Sequence, residues 1–253
     1  MRYNFKLPYG KQKHLIIEFG IHRRNTLLRS QKEERKALNL NRIKKQDYSK
    51  VFCIGFPKTG TTSLEKSLKD WGFKMGDQAV AEILSEDWAQ RRTDRIIRFC
   101  YTADAFQDLP FGLPGLFEEL DNAFPNSKFI LTVRDNENQW YNSLIKFHTK
   151  IWSSDKSRIP TAEDLENSLY RYKGLALDMI KLFYNFPNIK VYDEQYYKKK
   201  YLDHIKNIKD YFQNRGNDLL VINVAETGSY QKLAKFLNLN VDKNDKFPWL
   251  NKT

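Results

Sequence analysis

The sequence predicts a three-layer α/β fold in which helices flank a central parallel sheet. Two observations predict this fold. Short apolar segments alternate along the chain with longer segments of helical periodicity, and strands covered on both faces of a parallel sheet are almost continuously apolar. The 253 residues are enough to bury one full hydrophobic core. In such sheets ligands bind at the carboxyl ends of the strands, so a functional site is expected at that edge.

Four segments are predicted to be strands because they are short, apolar and rich in β-branched residues. They are Val51–Gly55, Lys128–Val133, Ile189–Tyr192 and Leu219–Val224. The chain between them is long enough for the helical crossovers that parallel strands require.

Six segments are predicted to be helices. They are Thr62–Trp71, Leu116–Ala123, Asn136–Lys150, Thr161–Tyr184, Glu194–Gln213 and Tyr230–Leu237. Asn136 and Gln139 have the spacing of a capping box at the start of the third helix. Pro160 stands just before the long fourth helix, where proline is well tolerated.

The positive charge of the chain is concentrated at its N-terminus. The formal net charge is +12, and residues 1–50 hold 14 Lys and Arg against 4 Asp and Glu. We therefore divide the chain into a basic extension, residues 1–48, and a folded domain, residues 49–253. The extension is expected either to be a solvated, partly helical face or to contact an anionic partner such as nucleic acid, lipid or an acidic polymer.

Several classes of protein are disfavoured by the composition. Two cysteines and four scattered histidines favour neither a disulfide framework nor a structural zinc site. Apolar runs of the roughly 18–20 residues needed to cross a bilayer are absent from the sequence, and the N-terminus lacks the apolar core of a signal peptide. A soluble, cytoplasmic protein is expected.

The stretch "GFPKTGTT" after the first predicted strand indicates an anion-binding loop. Gly55 and Gly60 are spaced as in the nucleoside-triphosphate loop G-x-x-x-x-G-K-[ST], but Thr61 stands at the lysine position and the cation is Lys58. Glycines let successive N–H groups converge on an anion, and the following helix adds its positive N-terminal dipole. The displaced lysine favours a shorter anion, a single phosphate with one group attached, and no metal ion is expected.

A second motif, "KFILTVRDNENQWYNS", begins at the second predicted strand. Arg134 ends that strand, and Ser143 follows nine residues later, about two turns into the next helix. The planar fork of the arginine and the serine hydroxyl are therefore predicted to approach the same phosphate. Considered alone, Arg134 is better explained by a surface salt bridge with Asp135. The alternative for Ser143 is an ordinary helix serine.

Together these motifs resemble those of sulfotransferases that use 3′-phosphoadenosine 5′-phosphosulfate (PAPS). "PKTGTTSL" resembles the 5′-phosphosulfate loop of that family, and the strand-end arginine with its helical serine resembles the 3′-phosphate motif, in which a tryptophan such as Trp140 often intervenes. Asp218–Leu239 looks like the late strand and helix of the family, and Phe247–Asn251 like the ending of one small soluble branch of it. The RKG segment of steroid- and phenol-type enzymes is missing, so the chain is not a close relative of that branch.

The resemblance implies an enzyme that moves a sulfuryl group from PAPS to a hydroxyl or amine and releases 3′-phosphoadenosine 5′-phosphate (PAP). It implies a P-loop-like fold and a small-molecule or glycan acceptor. Lys58 would also act in catalysis by stabilising charge on the leaving phosphate. The donor-binding residues that it implies are Pro57, Lys58, Thr59, Gly60, Thr61, Thr62, Ser63, Arg134 and Ser143.

A general base is expected between the two motifs, in "YTADAFQDLPFGLP". Asp108 is the first candidate and Asp104 the second, followed by Asp77 and by His148 on the helix of the second motif. Each aspartate is alternatively a loop or helix-capping residue, and the histidine a structural one. His204 lies among lysines and is expected to be solvated.

Two other functions fit parts of the sequence. A small-molecule kinase with a degenerate P-loop would need Mg²⁺ and a lysine at the position of Thr61. A non-enzymatic module that binds an anionic partner through its basic extension would not need Lys58, which is present.

Overall fold

The computed structural model describes residues 48–248 and contains a sheet of four parallel strands in the order β2-β1-β3-β4. The predicted basic extension lies outside the described residues, apart from its last position. The strands are β1 (Val51–Cys53), β2 (Ala105–Phe106), β3 (Lys128–Thr132) and β4 (Leu219–Ile222). Cys53 is opposite Ile130 across the β1–β3 pair, and Phe52 is opposite Phe106 across β1–β2.

Helices connect and cover the strands. In chain order they are α1 (Thr61–Asp70), α2 (Gln78–Ile83), α3 (Ser85–Ala89), α4 (Thr93–Phe99), α5 (Leu116–Ala123), α6 (Glu137–Trp152), α7 (Ala162–Asn167), α8 (Leu175–Tyr184), α9 (Glu194–Tyr211) and α10 (Ser229–Phe236), with a 3₁₀ turn at Cys100–Thr102.

Both faces of the sheet are buried. Successive residues of a strand point to opposite faces, and Val51 and Cys53 pack with α1 and α10, whereas Phe52 packs with α4, α5 and the end of α9. β1 is accordingly fully buried and apolar, and β3 is buried from Phe129 onwards. The predicted three-layer α/β architecture, a parallel sheet flanked by helices, is confirmed.

The strand order creates a switch point at β1. The chain passes from β1 to β2 on one side and then to β3 on the other side of β1. The strands that follow β1 in the chain therefore lie on its two opposite sides. In parallel sheets a crevice is expected at the carboxyl end of such a strand. The glycine loop that follows β1 lies at this crevice.

Three predicted strands are confirmed, but the predicted strand Ile189–Tyr192 is wrong. This segment is a turn in which the Asp193 N–H donates to the Lys190 carbonyl (3.1 Å) and Tyr192 has a left-handed φ of 57°. Asp193 then caps α9. Val191 and Tyr192 pack against α6, α8 and α9 rather than in the sheet. A segment of four residues is too short for its hydrophobic pattern to reveal this.

The predicted helix Thr161–Tyr184 is two helices, α7 and α8. The chain leaves α7 at Ser168 and forms a bridge between Leu169 and Lys173. Gly174, at φ 86°, then starts α8. The remaining predicted helices agree within two residues, while β2, α2, α3 and α4 were not predicted because each is too short for a periodic signal.

Candidate functional site

The loop between β1 and α1 is held in a conformation suited to anion binding. Lys58 (φ 72°) and Gly60 (φ 104°) both adopt the left-handed region, and no side chain caps the N-terminus of α1. A Cβ on Gly60 would lie 2.3 Å from a methyl group of Val224, so only glycine fits there. The start of α1 lines the cavity, and its uncapped N–H groups and dipole suit the binding of an anion.

Gly55 anchors the start of the loop by close packing. A Cβ added to Gly55 would lie 2.1 Å from Thr132 Oγ1, and one added to Gly112 would lie 2.5 Å from the Gly55 carbonyl oxygen. The loop, β3 and the segment after β2 thus meet backbone to backbone.

Residues from the second motif hold the loop carbonyl groups. Arg134 donates from Nε to the Lys58 carbonyl (2.8 Å), and Trp140 donates from Nε1 to the Pro57 carbonyl (3.0 Å). The Arg134 N–H in turn donates to the hydroxyl of Tyr201 (2.9 Å), whose ring stacks on Trp140 at 4.6 Å. The two sequence motifs therefore form one hydrogen-bonded unit.

Thr59 is turned away from the ligand side of the loop. Its hydroxyl donates to the Phe56 carbonyl and lies 2.6 Å from Thr132 Oγ1, and its side chain is fully buried. On the ligand side of the loop, Thr59 can therefore offer only its backbone N–H to a bound anion.

Lys58 carries the cation of the loop into a partly desolvated position. Its Nζ lies 3.5 Å from the centre of the Phe147 ring, a cation–π contact. Burial lowers the pKa of Lys58 to about 8, with Asp108 opposing and Arg134 reinforcing the shift. The ammonium is still mostly protonated at neutral pH.

Asp108 follows the carboxyl end of β2 and faces the same cavity. Thr61 Oγ1 donates to its carboxylate at 3.3 Å and the Leu109 N–H at 2.9 Å. Burial, assisted by the charge of Glu82, raises the pKa of Asp108 to about 6. A carboxylate with a pKa near working pH suits a general base.

The other two aspartate candidates hold backbone groups away from the cavity. Asp104 stands at the amino end of β2 and accepts from the Lys74 N–H at 2.8 Å. Asp77 is the N-cap of α2 and accepts from two N–H groups of its first turn. Both have the loop or capping role that was the alternative for them.

The two histidines of the described residues, His148 and His204, are buried. His148 lines the cavity with Nδ1 3.0 Å from the Tyr192 hydroxyl, and burial lowers its pKa to about 3. A base this weak is poorly matched to neutral pH. His204 donates from Nε2 to the Ile54 carbonyl (2.8 Å), and burial lowers its pKa to about 4. The expectation that His204 is solvated is wrong, because its face of α9 packs on the β1 loop.

One cavity of about 370 Å³ brings most of the predicted site residues together. Thr59 and Ser143 are not part of its lining; Ser143 is largely buried on α6. The predicted residues that line the cavity are Pro57, Lys58, Gly60, Thr61, Thr62, Ser63, Asp108, Arg134 and His148.

The sequence did not reveal the opposite wall of this cavity. Glu82, Ser85 and Trp88 come from the short helices α2 and α3, and Gln107 directly precedes Asp108. The only local signal was Asp77, whose position before α2 is that of an N-cap.

Residues 48–248 contain neither a metal-binding cluster nor a helix suited to cross a bilayer. Within this range no group of three or more His, Cys, Asp or Glu side chains is arranged to hold a metal ion. Over the same residues, every helix is too short or too polar to cross a bilayer.

The fold is α/β, and its first strand leads into a glycine-containing loop that lines the cavity. A family model described as a sulfotransferase domain matches residues 50–253. The chain therefore belongs to the sulfotransferase family, and this membership supports a sulfotransferase activity that uses a sulfate donor. A comparison with curated proteins found no match.

Proposed function

We propose that the protein transfers a sulfuryl group from PAPS to a hydroxyl group of an acceptor and releases PAP. The observation that carries this proposal is the convergence of Lys58, Arg134, the start of α1 and Asp108 on one cavity at the carboxyl edge of the sheet.

The loop fits the phosphosulfate of this donor. An N-terminus of α1 without a side-chain cap offers N–H groups to a phosphate, and Lys58 supplies a charge beside it. Arg134 already uses Nε on the loop, so its terminal nitrogens are the groups that would meet a donor phosphate. A triphosphate loop would instead need a lysine at position 61, where Thr61 contacts Asp108.

The transfer itself asks for positioning and charge stabilisation more than covalent chemistry. The acceptor oxygen attacks the sulfur, the bond from sulfur to the bridging oxygen breaks, and that electron pair remains on the 5′-phosphate of PAP. Lys58 stabilises this growing negative charge. Asp108 takes the hydroxyl proton, because its carboxylate is ionised above a pKa of about 6 and faces the cavity.

Binding and transfer can be tested separately. Isothermal titration is expected to show tight binding of PAP and weak binding of ATP–Mg²⁺; the reverse order would favour the kinase. Incubation with ³⁵S-labelled PAPS and a metabolite extract should label an acceptor. Lys58→Ala is expected to reduce this labelling sharply while only weakening PAP binding.

A control variant on α1 separates a site effect from a general change in charge. Lys66→Ala removes an exposed lysine that pairs with Asp70 on the same helix. It should leave both PAP binding and labelling unchanged, since exposed pairs contribute little. Equal losses in Lys58→Ala and Lys66→Ala would contradict the assigned role of Lys58.

A further inference from the structure

One wall of the cavity, beside the loop, is largely apolar and elongated. Much of it comes from one face of α6 and one face of α8, namely Leu144, Phe147, Ile151, Ala176, Met179 and Ile180. Spacings of three and four residues place each set along one side of its helix. From Leu144 to Ile151 the wall extends roughly 10 Å along α6.

Two polar side chains that α2 and α3 add to the cavity lining already have partners in the protein. Gln78 donates from Nε2 to the Leu109 carbonyl (3.1 Å), and Trp88 donates from Nε1 to the Pro114 carbonyl (3.1 Å). A ligand therefore meets mainly their carbon atoms.

The carboxylate of Glu82, which is also on α2 and lines the cavity, has partners as well. Glu82 accepts from Arg171 Nε (2.6 Å) and from the Tyr170 hydroxyl (3.3 Å). Ser85 Oγ and Gln107 Oε1 lack a partner among the described residues, but both atoms are enclosed beneath the surface. A sugar with many hydroxyl groups would lose its water here without gaining equivalent hydrogen bonds, which is costly.

The cavity mouth is apolar as well. Ile151 and Tyr170 line the cavity while remaining 36% and 47% exposed. An apolar ligand longer than the cavity would keep favourable contacts where it leaves the protein.

We propose that the acceptor is a small, uncharged amphipathic alcohol whose hydroxyl lies at Asp108 and whose apolar body runs along α6 and α8. A glycan is disfavoured by the shortage of free hydrogen-bonding groups in the wall. The cavity volume, about 370 Å³, includes the loop side that would hold the donor phosphates, so the space left along α6 and α8 suits a small acceptor. This assignment rests on the proposed function.

The test uses 1-alkanols from butanol to octanol as probes, with methyl glucoside as the polyhydroxyl comparison. Binding is followed by the fluorescence of the protein, since Trp88 and Trp152 line the cavity. The dissociation constant is expected to fall about fourfold per added methylene, the effect of burying one such group. An affinity independent of chain length, or tighter binding of methyl glucoside than of octanol, would overturn the proposal.

Two matched variants locate the effect. Ile151→Glu places a charge at the partly exposed mouth and is expected to reduce octanol binding at least tenfold while leaving butanol binding nearly unchanged. Ile159→Glu adds the same charge at a residue that is 46% exposed and outside the cavity lining, and should change neither. Identical behaviour of the two variants would place alkanol binding elsewhere and refute the assignment.

Transfer of ³⁵S from labelled PAPS tests the acceptor class and the proposed function separately. Labelled alkyl sulfate supports both. Label on methyl glucoside but not on alkanols would overturn the acceptor class and leave the proposed function standing. Alkanol binding without transfer to any compound in the extract would overturn the proposed function and the acceptor role assigned with it.

Discussion

Replacement of Asp108 by asparagine should stabilise the protein while abolishing most of its activity. The asparagine would keep the size of the side chain, and its amide oxygen can still accept from the Leu109 N–H. Burial raises the pKa of Asp108 from its ordinary 3.8 to about 6. A difference of about 2 pH units corresponds to about 3 kcal/mol, an upper bound on what ionised Asp108 costs the folded state.

The sign of this effect depends on pH. Because the folded pKa exceeds the unfolded one, the stability associated with protonated Asp108 is fully present below about pH 4. It is lost as the pH rises through about 6. Asp108→Asn is therefore expected to unfold at a higher urea concentration than the parent at pH 7.5, and with little difference at pH 4.

Urea unfolding at the two pH values, with labelling from ³⁵S-PAPS, measures both consequences. Loss of a general base typically lowers the rate about 10²–10⁴-fold. Asp104→Asn changes the same residue type at the amino end of the same strand and should keep its turnover. An equal gain in stability at pH 4 and pH 7.5, or turnover near that of the parent, would refute the reasoning about Asp108.

Three further predictions concern the donor half of the site. The pH profile of kcat/KM should be bell-shaped, falling below about pH 6 as Asp108 is protonated and above about pH 8 as Lys58 loses its proton. The Lys58→Arg variant should lose the alkaline limb alone. An alkaline limb that persists in this variant would exclude Lys58 as the titrating group. Arg134→Ala should weaken PAP binding about 10–100-fold in calorimetry, the effect of losing hydrogen bonds from a charged group; a change below twofold would argue against its role. Trp140→Phe leaves the Pro57 carbonyl without its donor and should lower both Tm and PAP affinity without altering the pH profile. A shifted profile would contradict a role of Trp140 that is confined to holding the loop.

The sequence was sufficient to predict that the glycine loop and Arg134 lie together, because each follows the end of a strand. Gly55, Lys58 and Gly60 belong to one loop, and Arg134 is fixed by the end of its strand. Parallel strands bring both segments to one edge of the sheet. The placement of Asp108 followed from β2, which is two residues long and gave no strand signal.

Tertiary packing decided what the sequence could not. Ile189–Tyr192 has the residues of a strand, but Asp193 caps α9 and draws the segment into a turn. His204 sits among lysines in the sequence, yet the period of α9 turns it into the core. Likewise, Ser143 has the spacing expected of a donor ligand, but only the packing of α6 determines which way its hydroxyl faces.

The backbone contact between Gly55, Gly112 and Thr132 has a consequence for how this protein can diverge. A single methyl group at either glycine would collide with main-chain or side-chain oxygen atoms and displace the two halves of the site together. The less buried lining residues of α6 and α8, such as Ile151 and Met179, meet no such restriction. Selection for a new acceptor can therefore act on those helices one residue at a time, while the glycine junction admits almost no substitution.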